Sequence, residues 1–216
     1  MSGHTHIEQL EWEAIYIIRE AVANSQNPVL LYSVGKDSSC LLRLLQKAFA
    51  PAPIPIPLLH IDTGYKFPEM IKFRDEMAHS VGAKLVVERN EQAISENTHP
   101  AKLGTTACCA KLKTKGLLDA LKKHNFDTAI GGAPREEEKS RAKERVFSIR
   151  RESGGWDPKS QRPEPWDLYN TYRAHGQSLR VFPLSNWTEK DIWTYIQKEE
   201  IPVVPIYFSH PSDLPG

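Results

Sequence analysis

A glycine-lysine turn at residues 33–39, with the sequence SVGKDSS, has the composition of a phosphate-binding loop. It stands between a short apolar run and an amphipathic segment, at the expected start of a helix. Free N–H groups and the positive end of the helix dipole attract anions at such a position. Lys36 adds a full charge, and Gly35 lets the backbone approach a ligand closely. The residues expected to bind phosphate are Ser33, Val34, Gly35, Lys36, Asp37, Ser38 and Ser39.

The turn differs from the common P-loop at two positions. That pattern has a glycine five residues before its Gly-Lys pair and Ser or Thr directly after the lysine. This chain has Leu30 and Asp37 there. An acid beside an anion site is costly unless it caps the helix or shares a cation, and a Mg²⁺ ion bound to the phosphates would account for it. Asp37 is therefore the candidate metal ligand, with a surface turn capped by serines as the alternative.

A second polar turn follows the apolar run at residues 58–61. His60, Asp62 and Thr63 are its candidate ligand-binding residues. A histidine that is satisfied within an apolar strand is the simpler interpretation of His60 taken alone.

A third polar segment begins at a glycine pair. From residue 135 to 151 it carries seven basic and four acidic residues, a net charge of +3. Like charges four residues apart repel one another on a helix by a few tenths of a kcal/mol, and bound anions would reverse that repulsion. Taken alone, the charges favour a solvated surface helix, whereas their place after Gly131 and Gly132 favours an anion site. The candidates in this segment are Gly131, Gly132, Arg135, Lys139, Arg141 and Arg145.

The elements between these turns alternate in type. Apolar runs predict five strands, at residues 29–33, 58–61, 83–88, 127–130 and 179–184. Helical periodicity predicts helices at 7–23, 38–49, 68–81, 111–123 and 186–200, the last with a capping box at Thr188 and Asp191. This order predicts an α/β fold with a parallel, doubly wound, five-stranded sheet and helices on both faces. Ligands bind at the carboxyl ends of such strands, where all three polar segments fall.

The composition fits one globular domain over residues 1–216, with a net charge of +1. Neither a nucleic-acid nor a membrane partner is expected from so small a charge and from apolar runs too short to span a bilayer. No secretory signal is evident, and an odd number of cysteines is a poor disulfide framework, so we expect a cytoplasmic protein. Residues 152–178 are polar and too long for an inert loop. They are expected to form a lid or a loop ordered against a partner, and residues 208–216 to form a tail.

The motifs together resemble a known family. SVGKDSS is similar to the PP-motif of ATP pyrophosphatases, which split ATP between the α and β phosphates. LLHIDTG (58–64) resembles the second motif of the subgroup that handles sulfate and adenylyl sulfates. Three further stretches resemble the small, ATP-handling subunit of heterodimeric ATP sulfurylases, namely GGAPREEEKSRAKERVFSIR (131–150), WDPKSQRPE (156–164) and RVFPLSNWTEKDIWTYI (180–196). The similarity extends from about residue 7 to residue 207. The family's chains continue further, so a C-terminal extension is expected to be missing here.

The resemblance implies a fold, a reaction and a partner. The fold would be adenine-nucleotide α-hydrolase-like. Mg-ATP and sulfate would be converted to adenylyl sulfate and pyrophosphate, the first step of sulfate assimilation, with a GTPase subunit driving the reaction. The loop would hold pyrophosphate, and His60, Asp62 and Thr63 would lie near the nucleoside. The expected catalytic residues are Lys36, which would bind pyrophosphate, and four residues that would bind the α-phosphate and sulfate, namely Arg135, Lys139, Arg141 and Arg145.

The adjacent pair Cys108-Cys109 resembles half of the iron–sulfur ligand set of adenylyl-sulfate reductases. Such a cluster needs four cysteine ligands, and only Cys40 remains. We therefore expect neither a cluster nor any other prosthetic group.

Three other functions fit the same fold. A reductase would need a catalytic cysteine near the C-terminus, and no cysteine follows Cys109. A tRNA-modifying ATPase would favour a more basic surface. A non-catalytic subunit that only senses nucleotide is left open, because binding residues can persist without turnover.

Overall fold

The computed structural model describes residues 4–96, 98–137, 144–156 and 158–208. Within them the chain forms a six-stranded sheet in the order β3-β2-β1-β4-β6-β5. The strands are β1 Pro28–Leu31, β2 Leu58–Ile61, β3 Leu85–Glu88, β4 Thr128–Ile130, β5 Phe147–Arg150 and β6 Ser178–Val181. All neighbouring strands are parallel except β5 and β6, which are antiparallel.

The expected count of five strands is wrong, because Phe147–Arg150 forms a sixth at the sheet edge. Phe147 and Ile149 are buried, and Ile149 pairs with Leu179 of β6. Because basic residues flank this short run, it was not recognised as a strand from the sequence. An antiparallel edge strand also lacks the strand–helix–strand spacing by which the other five were recognised. The expected parallel sheet with helices on both faces is confirmed for the five predicted strands, whereas the sixth strand is antiparallel to its neighbour.

The helices match most of the expected segments. The long ones are α1 His6–Ala23, α2 Lys36–Phe49, α3 Pro68–Ser80, α7 Gly116–Lys123 and α8 Glu189–Lys198. Short helices α4 Glu91–Ser95, α5 Pro100–Leu103 and α6 Thr105–Cys109 occupy a region without clear periodicity, and a π-helical segment, Ala110–Lys115, leads into α7. The predicted capping box of α8 is confirmed, since Thr188 and Asp191 exchange hydrogen bonds.

The sheet has a core on each face because successive strand residues point to opposite sides. On one face Leu30 packs with buried residues of α1, α2 and α8. On the other face Val29 and Leu59 pack with Ala120 and Leu121 of α7. This two-sided burial holds β1 and β2 rigidly, and the turns after them carry two of the three polar segments.

Part of segment 152–178 covers the outer edge of β5. Glu164 accepts hydrogen bonds from the N–H groups of Val146 (3.0 Å) and Phe147 (2.8 Å). The Gln161 amide pairs with both the N–H (2.9 Å) and the carbonyl (3.0 Å) of Ile149. These side chains satisfy backbone groups that an exposed edge strand would offer to another chain.

Across the described ranges, none of the helices combines the length and the apolar composition needed to cross a bilayer.

Candidate nucleotide-binding site

The turn between β1 and α2 is strained at the residue before its glycine. Val34 has φ of 73°, a left-handed conformation that β-branched residues rarely adopt. Gly35 is the N-cap of α2 with an ordinary φ of −77°. Such strain persists only where the surroundings enforce it, and it concentrates at functional sites. Val34 is fully buried, so packing holds the turn in this form.

The start of α2 presents the donors expected of an anion site. The N–H group of Lys36 donates to the hydroxyl of Tyr207 at 3.1 Å, so a side-chain oxygen already accepts from the helix N-terminus. The Ser38 hydroxyl donates to the Gly35 carbonyl at 2.8 Å, and the Ser33 hydroxyl lies 3.2 Å from that of Ser38. Ser33, Ser38 and Lys36 are thereby gathered within one turn, as the sequence predicts.

Lys36 is buried among carboxylates. Its ammonium is hydrogen-bonded to Glu137, lies 3.3 Å from Asp37 and 3.9 Å from Glu189. Burial would lower the pKa of Lys36, but Glu137, Asp37 and Glu189 outweigh burial and raise that pKa to about 12. Lys36 is therefore charged at neutral pH, and a bound phosphate must compete with Glu137 for it.

Glu137→Gln is expected to tighten the binding of Mg-pyrophosphate, because the amide competes less well for the Lys36 ammonium. A partly exposed ion pair contributes up to about 1 kcal/mol, so the affinity should rise by up to about fivefold. Titration calorimetry measures it. The control is Glu136→Gln, since Glu136 accepts from the N–H of Glu189 instead and should leave the affinity unchanged. Weaker binding in Glu137→Gln would show that Glu137 supports the site and does not compete with the ligand.

Asp37 has the free oxygen that a metal ligand needs. Oδ2 faces Lys36, whereas Oδ1 is buried and has no hydrogen-bond partner among the described residues. Burial raises the pKa of Asp37 despite the nearby ammonium. A cation at Oδ1 would offset the unfavourable burial of the carboxylate charge. The surroundings of Asp37 therefore fit its expected role as a Mg²⁺ ligand. The described residues contain no group of three or more His, Cys, Asp or Glu side chains that could hold an ion by themselves.

The glycine pair after β4 contacts the first turn of α2. A Cβ atom at Gly132 would lie 3.1 Å from the carbonyl carbon, the carbonyl oxygen and the Cβ of Asp37. A Cβ atom at Gly131 would have ordinary contacts, the nearest being 3.7 Å from Leu31. Gly132 therefore allows the end of β4 to approach the phosphate loop.

The residues of the second turn have different surroundings. His60 is 1% exposed; its Nδ1 lies 2.8 Å from the Tyr32 carbonyl and so donates to it, while Nε2 is buried without a hydrogen-bond partner. Burial lowers the pKa of His60 to about 4, so the ring is neutral. Asp62 accepts from the Gly64 N–H at 2.8 Å and from Arg89 Nε at 2.9 Å. Burial favours a higher pKa for Asp62, but these two donors hold it below its usual value.

A cavity of about 240 Å³ opens at the carboxyl ends of β1 and β2, beside the phosphate loop. Its apolar lining comes from Leu31, Leu59, Ile61 and Leu117. Its polar lining comes from Tyr32, Ser33, Thr63, Lys66 and Lys113. Apolar walls with a few polar groups are typical of small-molecule sites, and this cavity is small enough to suit a single nucleobase. Thr63 lines this cavity beside the loop, and its expected place near the nucleoside stays a prediction.

The described basic candidates of the third segment are Arg135 and Arg145, and they differ in their surroundings. Arg135 donates to the Glu144 carbonyl at 3.2 and 3.3 Å and to Asn186 Oδ1 at 2.6 Å, so its donors hold two loops together. Arg145 is exposed. Lys139 and Arg141 lie outside the described residues.

Several residues of the site carry no local sequence signal. Tyr207 is 171 residues from Lys36, and Glu137 lies in an acidic run that is also typical of a solvated surface. Arg89 and Lys66 are likewise single charged residues between elements, and Lys113 is one of three lysines in the π-helical segment Ala110–Lys115. Only the topology brings them to the loop.

The cysteines occupy separate places. Cys40 belongs to α2 and is buried in the core, with its thiol 3.7 Å from the Ile192 carbonyl. Cys108 is buried in a small cluster with Ala93 and Leu112, and Cys109 is exposed.

This fold and this loop define a nucleotide-binding protein of the PP-loop class, and residues 27–212 match the family described as the Phosphoadenosine phosphosulfate reductase domain. The solved phosphoadenylyl-sulfate reductase from Candida auris superposes with a TM-score of 0.63 at 18% identity, covering 96% of this chain and 92% of the reductase. The NH3-dependent NAD synthetase from Campylobacter jejuni gives 0.58 at 16% identity, covering 96% and 80%. The expected adenine-nucleotide α-hydrolase-like fold is confirmed.

Sequence relatives narrow the class. Sulfate adenylyltransferase subunit 2 from Brucella abortus (strain 2308) is 56% identical over 209 residues, which are 97% of this chain and 70% of that protein. The chain belongs to the sulfate adenylyltransferase subunit 2 family. The resemblance carried by these motifs is thereby confirmed, and the designation subunit 2 implies at least one further subunit in those relatives.

Proposed function

We propose that this chain catalyses adenylyl transfer from ATP to sulfate, giving adenylyl sulfate and pyrophosphate. The family membership supports the reaction. The observation that carries the site is the strained loop whose lysine and helix N-terminus lie beside a cavity of nucleobase size. Together they suit a substrate with a base at one end and a polyphosphate at the other.

In this proposal a sulfate oxygen attacks the α-phosphorus, and the bond from that phosphorus to the bridging oxygen of pyrophosphate breaks. Sulfate is already an anion, so no proton has to be removed. The chain's contribution is to position two anions and to stabilise the charge that develops on the leaving group. Lys36 and the first N–H groups of α2 would hold pyrophosphate, which displaces Glu137 and the Tyr207 hydroxyl. The apolar part of the cavity would hold adenine, and Thr63 would lie beside the ribose.

Mg²⁺ is proposed to enter with ATP, and its chemistry would be to neutralise phosphate charge. Asp37 would hold it through the buried Oδ1, the one carboxylate oxygen in the first turn of α2 that lacks a hydrogen-bond partner in the described structure. Of the two described basic candidates, Arg145 has an exposed side chain, which leaves it available to sulfate. Roles for Lys139 and Arg141 in binding sulfate, and for Arg135 after rearrangement, belong to the same proposal.

The partner is proposed to be a GTPase subunit. Formation of a phosphosulfate anhydride is unfavourable, so an energy source is needed, and the loop of this chain does not have the P-loop pattern. A cytoplasmic location is part of the same proposal, and it agrees with the free thiols of Cys40 and Cys108.

The test uses the favourable direction of the reaction. Purified protein is mixed with adenylyl sulfate and Mg-pyrophosphate, and ATP is measured with luciferase. We expect ATP formation that depends on both substrates, and we expect sulfate-dependent pyrophosphate release in the forward direction to rise when the GTPase partner and GTP are added. ATP binding with no turnover in either direction, even with the partner, would contradict catalysis and favour the nucleotide-sensing function.

A further inference from the structure

We propose that Lys66 and Lys113 form a second anion site that binds the α-phosphate, the group transferred in the reaction. The inference rests on the proposed function, because that function assigns adenine to the cavity and pyrophosphate to the start of α2. It changes the sequence-based expectation, which gave the α-phosphate to the basic segment after Gly132.

Both lysines line the cavity beside the phosphate loop, and they reach it from different elements. Lys66 comes from the turn after β2, and Lys113 comes from the π-helical segment Ala110–Lys115. Among the ion pairs of the described residues, neither lysine has a carboxylate partner within 4.0 Å, although Asp62 is close enough to influence Lys66. The cavity therefore has two cations at its wall, and its other lining side chains are apolar or carry hydroxyl groups.

The charge of Lys66 is unfavourable in these surroundings. Burial lowers the pKa of Lys66 to about 8 despite the nearby Asp62 carboxylate, and the positive charges of Lys113 and Arg74 lower that pKa as well. A partly buried ammonium that shares a cavity wall with a second lysine is stabilised by a counter-ion. An anion between the two would supply it, and the other lining residues offer only hydroxyl and apolar groups.

The position of the loop identifies the anion. Ser33 belongs both to the phosphate loop and to the lining of the cavity, so the two sites meet at this residue. If adenine occupies the apolar part and pyrophosphate occupies the N-terminus of α2, the α-phosphate lies between them. Lys66 and Lys113 are the cations of the cavity wall, whereas the donors of Arg135 are engaged with Glu144 and Asn186.

The test distinguishes the contribution of the phosphate to binding from that of the nucleoside. Calorimetry is used to compare AMP with adenosine on the wild-type protein, on Lys66→Met, on Lys113→Met and on the double variant. Because a charge-assisted hydrogen bond typically contributes enough for at least a tenfold change, each single variant should weaken AMP binding about tenfold and the double variant about 100-fold. Adenosine binding should change less than threefold.

Lys111→Met is the matched control. Lys111 lies in the same π-helical segment but pairs with Glu96 at 3.5 Å outside the cavity, so its loss should leave AMP binding unchanged. Melting temperatures verify that each variant is folded. If the double variant does not fold, the two single variants decide whether the lysines bind AMP. AMP affinity that stays at the wild-type level in Lys66→Met and Lys113→Met would overturn the proposal, as would a wild-type protein that binds AMP no better than adenosine. An AMP-selective effect in a protein that forms no ATP would support the anion site while refuting the proposed reaction.

Discussion

Replacing Lys36 with alanine is expected to reduce ATP formation from adenylyl sulfate and pyrophosphate by about 100- to 1000-fold, the range observed when one preorganised donor to a developing charge is removed. Lys36 is the buried cation at the start of α2, and its pKa of about 12 keeps it charged. Since it would stabilise pyrophosphate as nucleophile and leaving group, the loss should appear in kcat and in the KM for pyrophosphate. The KM for adenylyl sulfate should change little.

Two variants distinguish the effect of losing the Lys36 charge from the effect of losing its side-chain packing. Lys36→Met keeps the buried stem and should be as inactive as Lys36→Ala. Lys47→Met removes another partly buried lysine of α2, whose partners are Glu11 at 2.6 Å and Glu199 at 2.8 Å, away from the loop. It should lower the melting temperature but leave turnover of the folded protein near that of the wild type. Activity retained in folded Lys36→Met would mean that the loop lysine has no role in the reaction.

The local parts of the site could be predicted from the sequence. The turn of residues 33–39 lies between a strand buried on both faces and an amphipathic helix, and both signals arise within about twenty neighbouring residues. The same holds for the capping box of Thr188 and Asp191. These patterns are created by hydrogen bonds and packing between residues close in sequence, so no knowledge of the tertiary structure is required.

The residues around Lys36 could not be predicted in this way. Tyr207 reaches the loop from the far end of the described chain, and Glu137 reaches it across the turn after β4. Their contacts depend on the order of strands in the sheet, which sequence periodicity does not specify. The strand Phe147–Arg150 was missed for a related reason: it is short, antiparallel and flanked by charges, and its edge is completed by Gln161 and Glu164 from a polar segment. The role of that segment as a lid stays a prediction.

Substituting alanine for Gly132 is the second change with a large expected effect, because the added methyl group would meet main-chain atoms. Its Cβ would lie 3.1 Å from the carbonyl carbon and oxygen of Asp37, and neither Gly132 nor Gly131 has a positive φ, so contact and not backbone conformation decides the outcome. Overpacking of this kind costs about 1–3 kcal/mol. The first turn of α2 can relieve the contact only by moving the donors that surround pyrophosphate.

We therefore expect Gly132→Ala to lower the free energy of unfolding by about 1–3 kcal/mol and to weaken binding of Mg-pyrophosphate about tenfold, since small displacements of positioned groups have large effects on function. Chemical denaturation and calorimetry measure the two quantities. Gly131→Ala is the control, because its Cβ would have contacts of 3.7 Å to Leu31 and 3.9 Å to Phe182, which are ordinary van der Waals distances. It should change both quantities little. Equal losses in the two variants would contradict a specific contact between β4 and the loop, whereas a loss confined to Gly132→Ala would mean that the geometry of the phosphate loop depends on the end of the neighbouring strand.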